Sequence, residues 1–158
     1  ERGVEAEFLQ MDERRKAYIP DPRYTREERQ AAYRMFAEEA AAMTRQGRNV
    51  VMDGTAPRRE MRGYARSLIP RFAEAQVACS LDSAIEREAA RPEGKVMADL
   101  YRKALERRRT GREVEGLGDV PGVDVPYEMN PEAEITVDSE ALAPDQAARR
   151  IADALGGL

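Results

Sequence analysis

The apolar and polar positions of this chain change period several times. Val4 to Met11 mixes apolar and polar residues in a short run that ends at Asp12, the pattern of a strand with a carboxylate at its C-terminal end. Asp12 to Ala17 predicts a short helical turn, broken by Pro20 and Pro22. Thr25-Arg26-Glu27-Glu28 is a capping box. It opens a helix whose apolar stripe reads Ala32, Met35, Phe36, Ala40 and Met43, and Gly47 closes it. Asn49 to Met52 is a second strand, again followed by a carboxylate, Asp53. Pro57 starts a helix to about Leu68; Ala75 to Ser80 is a third strand, and Leu81 to Ala90 a helix. A Pro-, Gly- and Arg-rich region over 91–126 holds one more helix, about Val96 to Arg108. Glu134 to Val137 is the last strand. Pro144 stands at the start of a C-terminal helix, about Asp145 to Leu155.

This alternation predicts an α/β fold, a parallel sheet with helices on both faces. Ligands in such sheets bind beyond the C-terminal ends of the strands, where Asp12 and Asp53 both fall. The length, 158 residues, is that of one domain, and 42% hydrophobic with 35% charged residues is the balance of a folded globular chain. No apolar run approaches the roughly 20 residues of a membrane span, so no membrane contact is expected. Glu1-Arg2-Gly3 opens the sequence without the apolar stretch of a signal peptide, so none is expected, and an opening without Met is expected of a cut chain.

Composition narrows the chemistry. The chain has no His, which excludes Ser-His-Asp catalysis, His-ligated zinc and a His general base. Cys79 is its single cysteine, so no disulfide forms within one chain, and a reducing, cytoplasmic setting is expected. Carboxylates, hydroxyls and cations remain. A net charge of −4 argues against a nucleic-acid partner. Only Lys16, Lys95 and Lys103 are lysines; the other cations are arginines, which suit planar contacts to phosphate, sulfate or carboxylate.

Three clusters could carry function. Asp12 with Arg14, Arg15, Arg29 and Arg34 combines a carboxylate able to take a hydroxyl proton or hold Mg²⁺ with cations for an anionic substrate, or it is a helix face of charge pairs. Asp53-Gly54-Thr55-Ala56-Pro57-Arg58-Arg59 leads a strand into a helix N-terminus. That is an anion site, or an ordinary turn capped by Asp53. The region 91–122, with Arg102, Lys103, Arg107, Arg108, Arg109 and Arg112, is a basic lid over phosphates or a solvated basic helix. Gly116 to Gly122 imitates a dinucleotide fingerprint, but no strand precedes it and no helix follows. The chain contains no Gly-x-x-x-x-Gly-Lys-Ser/Thr loop.

Taken in order, the segments resemble the adenylylsulfate (APS) kinase family, P-loop enzymes that phosphorylate adenosine 5′-phosphosulfate at the ribose 3′-hydroxyl. Leu9-Gln10-Met11-Asp12-Glu13-Arg14-Arg15 resembles a strand ending in Asp-Gly-Asp with an Arg beyond it. Tyr24-Thr25-Arg26-Glu27-Glu28-Arg29 resembles Phe-Ser-x-Glu-Asp-Arg, and Gly47 to Arg59 resembles the strand that ends in Ser-Pro-Tyr-Arg. Asp99 to Ala104 resembles Gly-Leu-Tyr-Lys-Lys-Ala of the lid, and Gly122 to Glu128 resembles Gly-Ile-Asp-x-Pro-Tyr-Glu, the most specific piece. The resemblance implies a three-layer P-loop-kinase fold in which residues 1–158 form a kinase-like domain lacking its first strand, P-loop and helix, with a lid insert over about 91–126. On their own these residues are then expected to bind ATP poorly and to be inactive.

The resemblance also implies roles. Asp12 is the carboxylate at the 3′-hydroxyl; Arg15 and Arg29 grip the phosphosulfate. Tyr24 stacks on adenine, and Thr55, Ala56 and Val120 line the substrate. Arg87 is a lid-hinge arginine near the ATP phosphates, and Arg102 and Lys103 are lid cations. ATP and Mg²⁺ are implied, the metal near Asp12 or Asp53, with a homodimer and a fused or associated sulfurylase as candidate partners. The chain departs from the family at Ala32 (Asn), Met35 (Arg), Ala56 (Ser) and Val120 (Phe). Those departures leave open a kinase for another small anionic or hydroxylated substrate, or a non-catalytic binding module.

Overall fold

The structure is a computed structural model and describes residues 4–23, 25–91 and 97–156. The elements in chain order are β1 (Glu7–Gln10), α1 (Met11–Tyr18), α2 (Arg26–Arg45), β2 (Val50–Asp53), α3 (Arg59–Leu68), β3 (Ala75–Ala78), α4 (Leu81–Ala89), α5 (Leu100–Thr110), β4 (Ile135–Asp138) and α6 (Pro144–Leu155). The expected alternation is present, with most boundaries displaced by one to three residues. The expected start of α5 at Val96 lies outside the described residues.

The central helix, α2, is set by its ends and its stripe. Thr25 Oγ1 accepts the Glu28 N–H at 3.2 Å, as a capping threonine should. The reciprocal arm of the box goes elsewhere: the Glu28 carboxylate accepts from the Arg23 N–H at 2.7 Å. At the far end the Gly47 N–H reaches the Thr44 carbonyl and the Arg48 N–H reaches that of Met43, with Gly47 at φ 80°, which is a Schellman motif. Ala32, Phe36, Ala40 and Met43 are buried as expected. Met35 is not; it is 43% exposed, and Tyr33 takes its place in the core. At 100° per residue Met35 stands away from the line through Arg29, Phe36, Ala40 and Met43, while Tyr33 flanks it. Removing the cap by Thr25→Ala should cost about 1 kcal/mol, read as a lower urea midpoint with unchanged slope.

All strand pairing is parallel. β1 pairs with β2, Leu9 opposite Met52 and Gln10 opposite Asp53; β3 pairs with β4, Val77 opposite Val137. Among the described residues these are two separate two-stranded sheets rather than one. Leu9, Met11, Tyr33, Phe36, Met61 and Ile69 belong to the main core, where α2 packs on β2 and α3 packs on α2. The alternate residues Phe8 and Val51, at the same register position, are exposed, and so is Val77 of β3. The 97–125 region has its own small core of Ala104, Leu117, Val120 and Val123.

α3 docks on the start of β4 through a two-pronged ion pair. Arg66 Nη1 and Nη2 donate to Glu134 Oε1 and Oε2 at 2.8 and 2.7 Å. That pairing pulls the Glu134 carboxyl down to about 2. A carboxyl depressed in the folded state stabilises above its unfolded value, about 4.3, and loses that contribution as pH falls toward 2. The pair is partly exposed, so water screening holds it to about 0.2–1 kcal/mol. The Glu134→Gln variant should therefore be the less stable protein at pH 6, and the gap should close as the pH is lowered to 2. A gap that stays constant with pH would sink this account.

Candidate functional site

The C-terminal ends of β1 and β2 lie side by side, and Gln10 Nε2 donates to Asp53 Oδ2 across them at 3.0 Å. Helix α1 begins at once, because burying the Met11 side chain turns the chain inward. Asp12 therefore stands in the first turn of α1, partly buried, rather than at the end of a strand as expected. An acidic residue is favourable there, facing the helix's free N–H groups. After β2 the chain passes close against α1 and α2 at Gly54. A Cβ on Gly54 would lie 3.2 Å from Met11 Cβ and 3.3 Å from the Tyr33 ring.

Tyr33 is the hub of this corner. Its hydroxyl accepts the Ala56 N–H at 2.7 Å. Burial raises the phenol's pKa, and Asp12, Arg15 and Arg29 all lie near enough for their charges to act on it. Arg29 is itself buried and donates through Nη2 to the Asp119 carbonyl, which ties α2 to the insert. Burial, and next the neighbouring charge of Arg15, lower the basicity of Arg29. Asp12, Arg15, Arg29 and Ala56 are thus brought together, with exposed Thr55 on the same turn. A small pocket beside them is lined by Arg26, Arg29, Pro57, Arg58, Asp119 and Val125, so three arginines face one opening. A larger cleft of about 240 Å³ lies between α2 and α3, and of this cluster only Tyr33 reaches it.

The N-terminus of α3 is not the open anion site that its Pro-led turn suggested. The Glu128 carboxylate accepts the Arg59 N–H at 2.8 Å and also pairs with Arg58 at 3.4 Å. The helix is capped by the chain's own anion, from 69 residues away, and not by Asp53. Arg62, one turn along, donates to Glu74 Oε1 at 2.8 Å and to the carbonyls of Ala56 and Glu128. Neither Tyr33 nor Arg62 was singled out from the sequence, and Glu128 was marked only as the end of the Gly122–Glu128 segment, with no role. Tyr33 lies on the buried stripe of α2, the one signal that could have found it.

The other expected residues are dispersed. Arg87 donates to the Ser139 hydroxyl and carbonyl at 2.7 Å each, fastening α4 to the loop after β4. Arg102 pairs with Asp99 on the surface, and Lys103 is half-buried on α5. Val120 is 2% exposed, its side chain spent in the insert's own core. Arg107 donates to the carbonyls of Leu117 and Gly118 and to Asp124, and Arg108 to that of Val123, so these basic residues hold the insert together. Tyr24 lies outside the described residues. No group of three or more metal-ligating side chains occurs among the described residues. Asp12 and Asp53 nevertheless suit Mg²⁺, which is usually held by one or two carboxylates together with substrate phosphates.

The model of the adenylylsulphate kinase family matches residues 1–138. The chain belongs to this family. A probable adenylyl-sulfate kinase of Pyrococcus abyssi is 32% identical over 151 residues, which are 96% of this chain and 78% of that protein. A probable bifunctional SAT/APS kinase of Sorangium cellulosum is 28% identical over 138 residues, 87% of this chain and 21% of that protein. The structure of the Mycobacterium tuberculosis APS kinase CysC, in complex with AMPPNP and APS, superposes with a TM-score of 0.75 at 22% identity, covering 98% of this chain and 82% of that one. The P-loop-kinase α/β fold expected from the sequence is thereby established, and the two parallel strand pairs are parts of it. No described helix is long and apolar enough to cross a membrane.

Proposed function

We propose that the protein transfers the γ-phosphoryl group of ATP to the ribose 3′-hydroxyl of adenosine 5′-phosphosulfate. The observation that carries this reading is the convergence of Asp12, Arg15 and Arg29 on Tyr33 and the Ala56 turn, at the C-terminal ends of β1 and β2. Asp12 orients the acceptor hydroxyl and takes up its proton; Arg15 and Arg29 hold the phosphosulfate. The arginines of the small pocket and the insert, docked through Arg29, exclude water from the acceptor. Asp12 or Asp53, together with substrate phosphates, would hold a Mg²⁺ ion, which would supply neutralising charge at the transferred group. Positioning and electrostatics do most of the work in such transfers.

Residues 1–158 hold no Gly-x-x-x-x-Gly-Lys-Ser/Thr loop, and the phosphates of the donor need such a loop. Among the described residues β1–β2 and β3–β4 are separate two-stranded sheets, and each has strand edges without a strand partner. The setting is cytoplasmic, and a sulfurylase is the natural companion, since it makes the acceptor; a bifunctional relative supports that pairing.

The test is a coupled assay of ATP consumption by the native protein with adenosine 5′-phosphosulfate. Turnover supports the reading. Intact ATP binding without turnover overturns the acceptor. Tight ATP binding by residues 1–158 alone overturns the missing donor element.

A further inference from the structure

Ala56 is held in a conformation it would not choose. Its φ of 36° lies in the left-handed region, which costs a residue with a Cβ roughly 1–2 kcal/mol. Two side chains from different helices pin its peptide groups. Tyr33 of α2 accepts its N–H at 2.7 Å, and Arg62 Nη1 of α3 donates to its carbonyl at 2.5 Å. Arg62 is anchored in turn. It is 8% exposed, its Nε donates to Glu74, its Nη2 donates to the Glu128 carbonyl, and its guanidinium lies 5.0 Å from the centre of the Tyr127 ring. Glu74 Oε2 accepts from Asn130 Nδ2 at 2.8 Å. One planar cation therefore ties the 54–57 turn to the segment around 127–130 and to the residue before β3.

We propose that Arg62 is a positioning residue for the acceptor side of the site, acting through the Ala56 carbonyl to hold the 54–57 turn against Tyr33 and Arg29. This rests on the reading of that corner as the acceptor site. Lysine cannot substitute. Its point charge can face Glu74 but cannot also reach two carbonyls in fixed directions, as a guanidinium fork does. Arg62→Lys thus separates the ion pair that folding needs from the clamp that the turn needs. Tyr33→Phe removes the other half of the clamp and leaves the Glu74 network intact.

The experiment compares wild type, Arg62→Lys and Tyr33→Phe in the native protein. It reads KM for each substrate, kcat, and amide hydrogen exchange at Ala56 and Arg59. Arg62→Lys should raise KM for adenosine 5′-phosphosulfate about tenfold, as expected for one lost hydrogen bond to a charged group. KM for ATP should stay within about twofold, and Ala56 exchange should speed up about tenfold or more by the same reasoning. Tyr33→Phe should speed exchange at Ala56 and leave Arg59 unchanged. A merely structural arginine would lower stability and leave both KM values near wild type, and that result overturns the proposal. If wild type itself turns over no adenosine 5′-phosphosulfate, the proposed function fails. Exchange at Ala56 then decides by itself: a rate in Arg62→Lys equal to wild type overturns the positioning role, and a faster one supports it.

Discussion

Asp12→Asn should lower kcat with adenosine 5′-phosphosulfate by about 10²–10⁴-fold, the usual worth of a positioned proton acceptor, and change KM far less. The exchange is nearly isosteric, so the first turn of α1 and the burial of Met11 should survive it. What is lost is a full negative charge beside Tyr33 and Arg15. An amide can still accept a hydrogen bond from the acceptor hydroxyl, but it cannot take the proton. The lost charge near the helix N-terminus costs only about 0.3–1 kcal/mol of stability, so the variant should remain folded. Steady-state kinetics with both substrates, beside a thermal melt, reads the result. A kcat within about tenfold of wild type would remove Asp12 from the chemistry.

Glu74→Gln should be the most damaging single change to the fold. Glu74 and Arg62 are 7% and 8% exposed, and their N–O distance is 2.8 Å. Neutralising one partner strands the other's charge away from water, at a cost of about 3–5 kcal/mol. Here the loss spreads, because Glu74 also accepts from Asn130, and Arg62 holds Ala56 and Glu128. For a chain of this length each kcal/mol moves the melting midpoint by roughly 2–4 °C, so a fall of roughly 6–20 °C is expected. Calorimetry or circular dichroism on heating reads it. A fall of under about 3 °C would mean that the pair is neutralised some other way.

Local features of this protein were legible because they are decided within a few residues. Thr25 caps the helix three residues on, Gly47 closes it two residues after Arg45, and Pro144 opens α6. The parallel α/β class followed from alternation alone. Met35 misled because a five-residue stripe can be drawn through either flank of Phe36, and only packing against β1 and α3 selects the Tyr33 side. The turn at Ala56 looked like an anion site for a similar reason: Pro57 announces the start of a helix but says nothing of what caps it.

The arginines divide along the same line. Their abundance and the resemblance were visible in the sequence, as was the pairing of Asp12 with Arg15 in one segment. Their individual duties were not. Arg29 finds the carbonyl of Asp119 across 90 residues, Arg62 that of Glu128 across 66, and Arg87 that of Ser139 across 52. Backbone carbonyls are present at every position, so no residue type marks which one a distant guanidinium will meet. The sequence by itself determined the elements, the fold class and the family, because periodicity, caps and ordered motifs are properties of neighbouring residues. Only the tertiary structure decided that Tyr33 and Arg62 hold Ala56, that Glu128 caps α3 and that Val120 is core, because each depends on which backbone groups folding brings within about 3 Å.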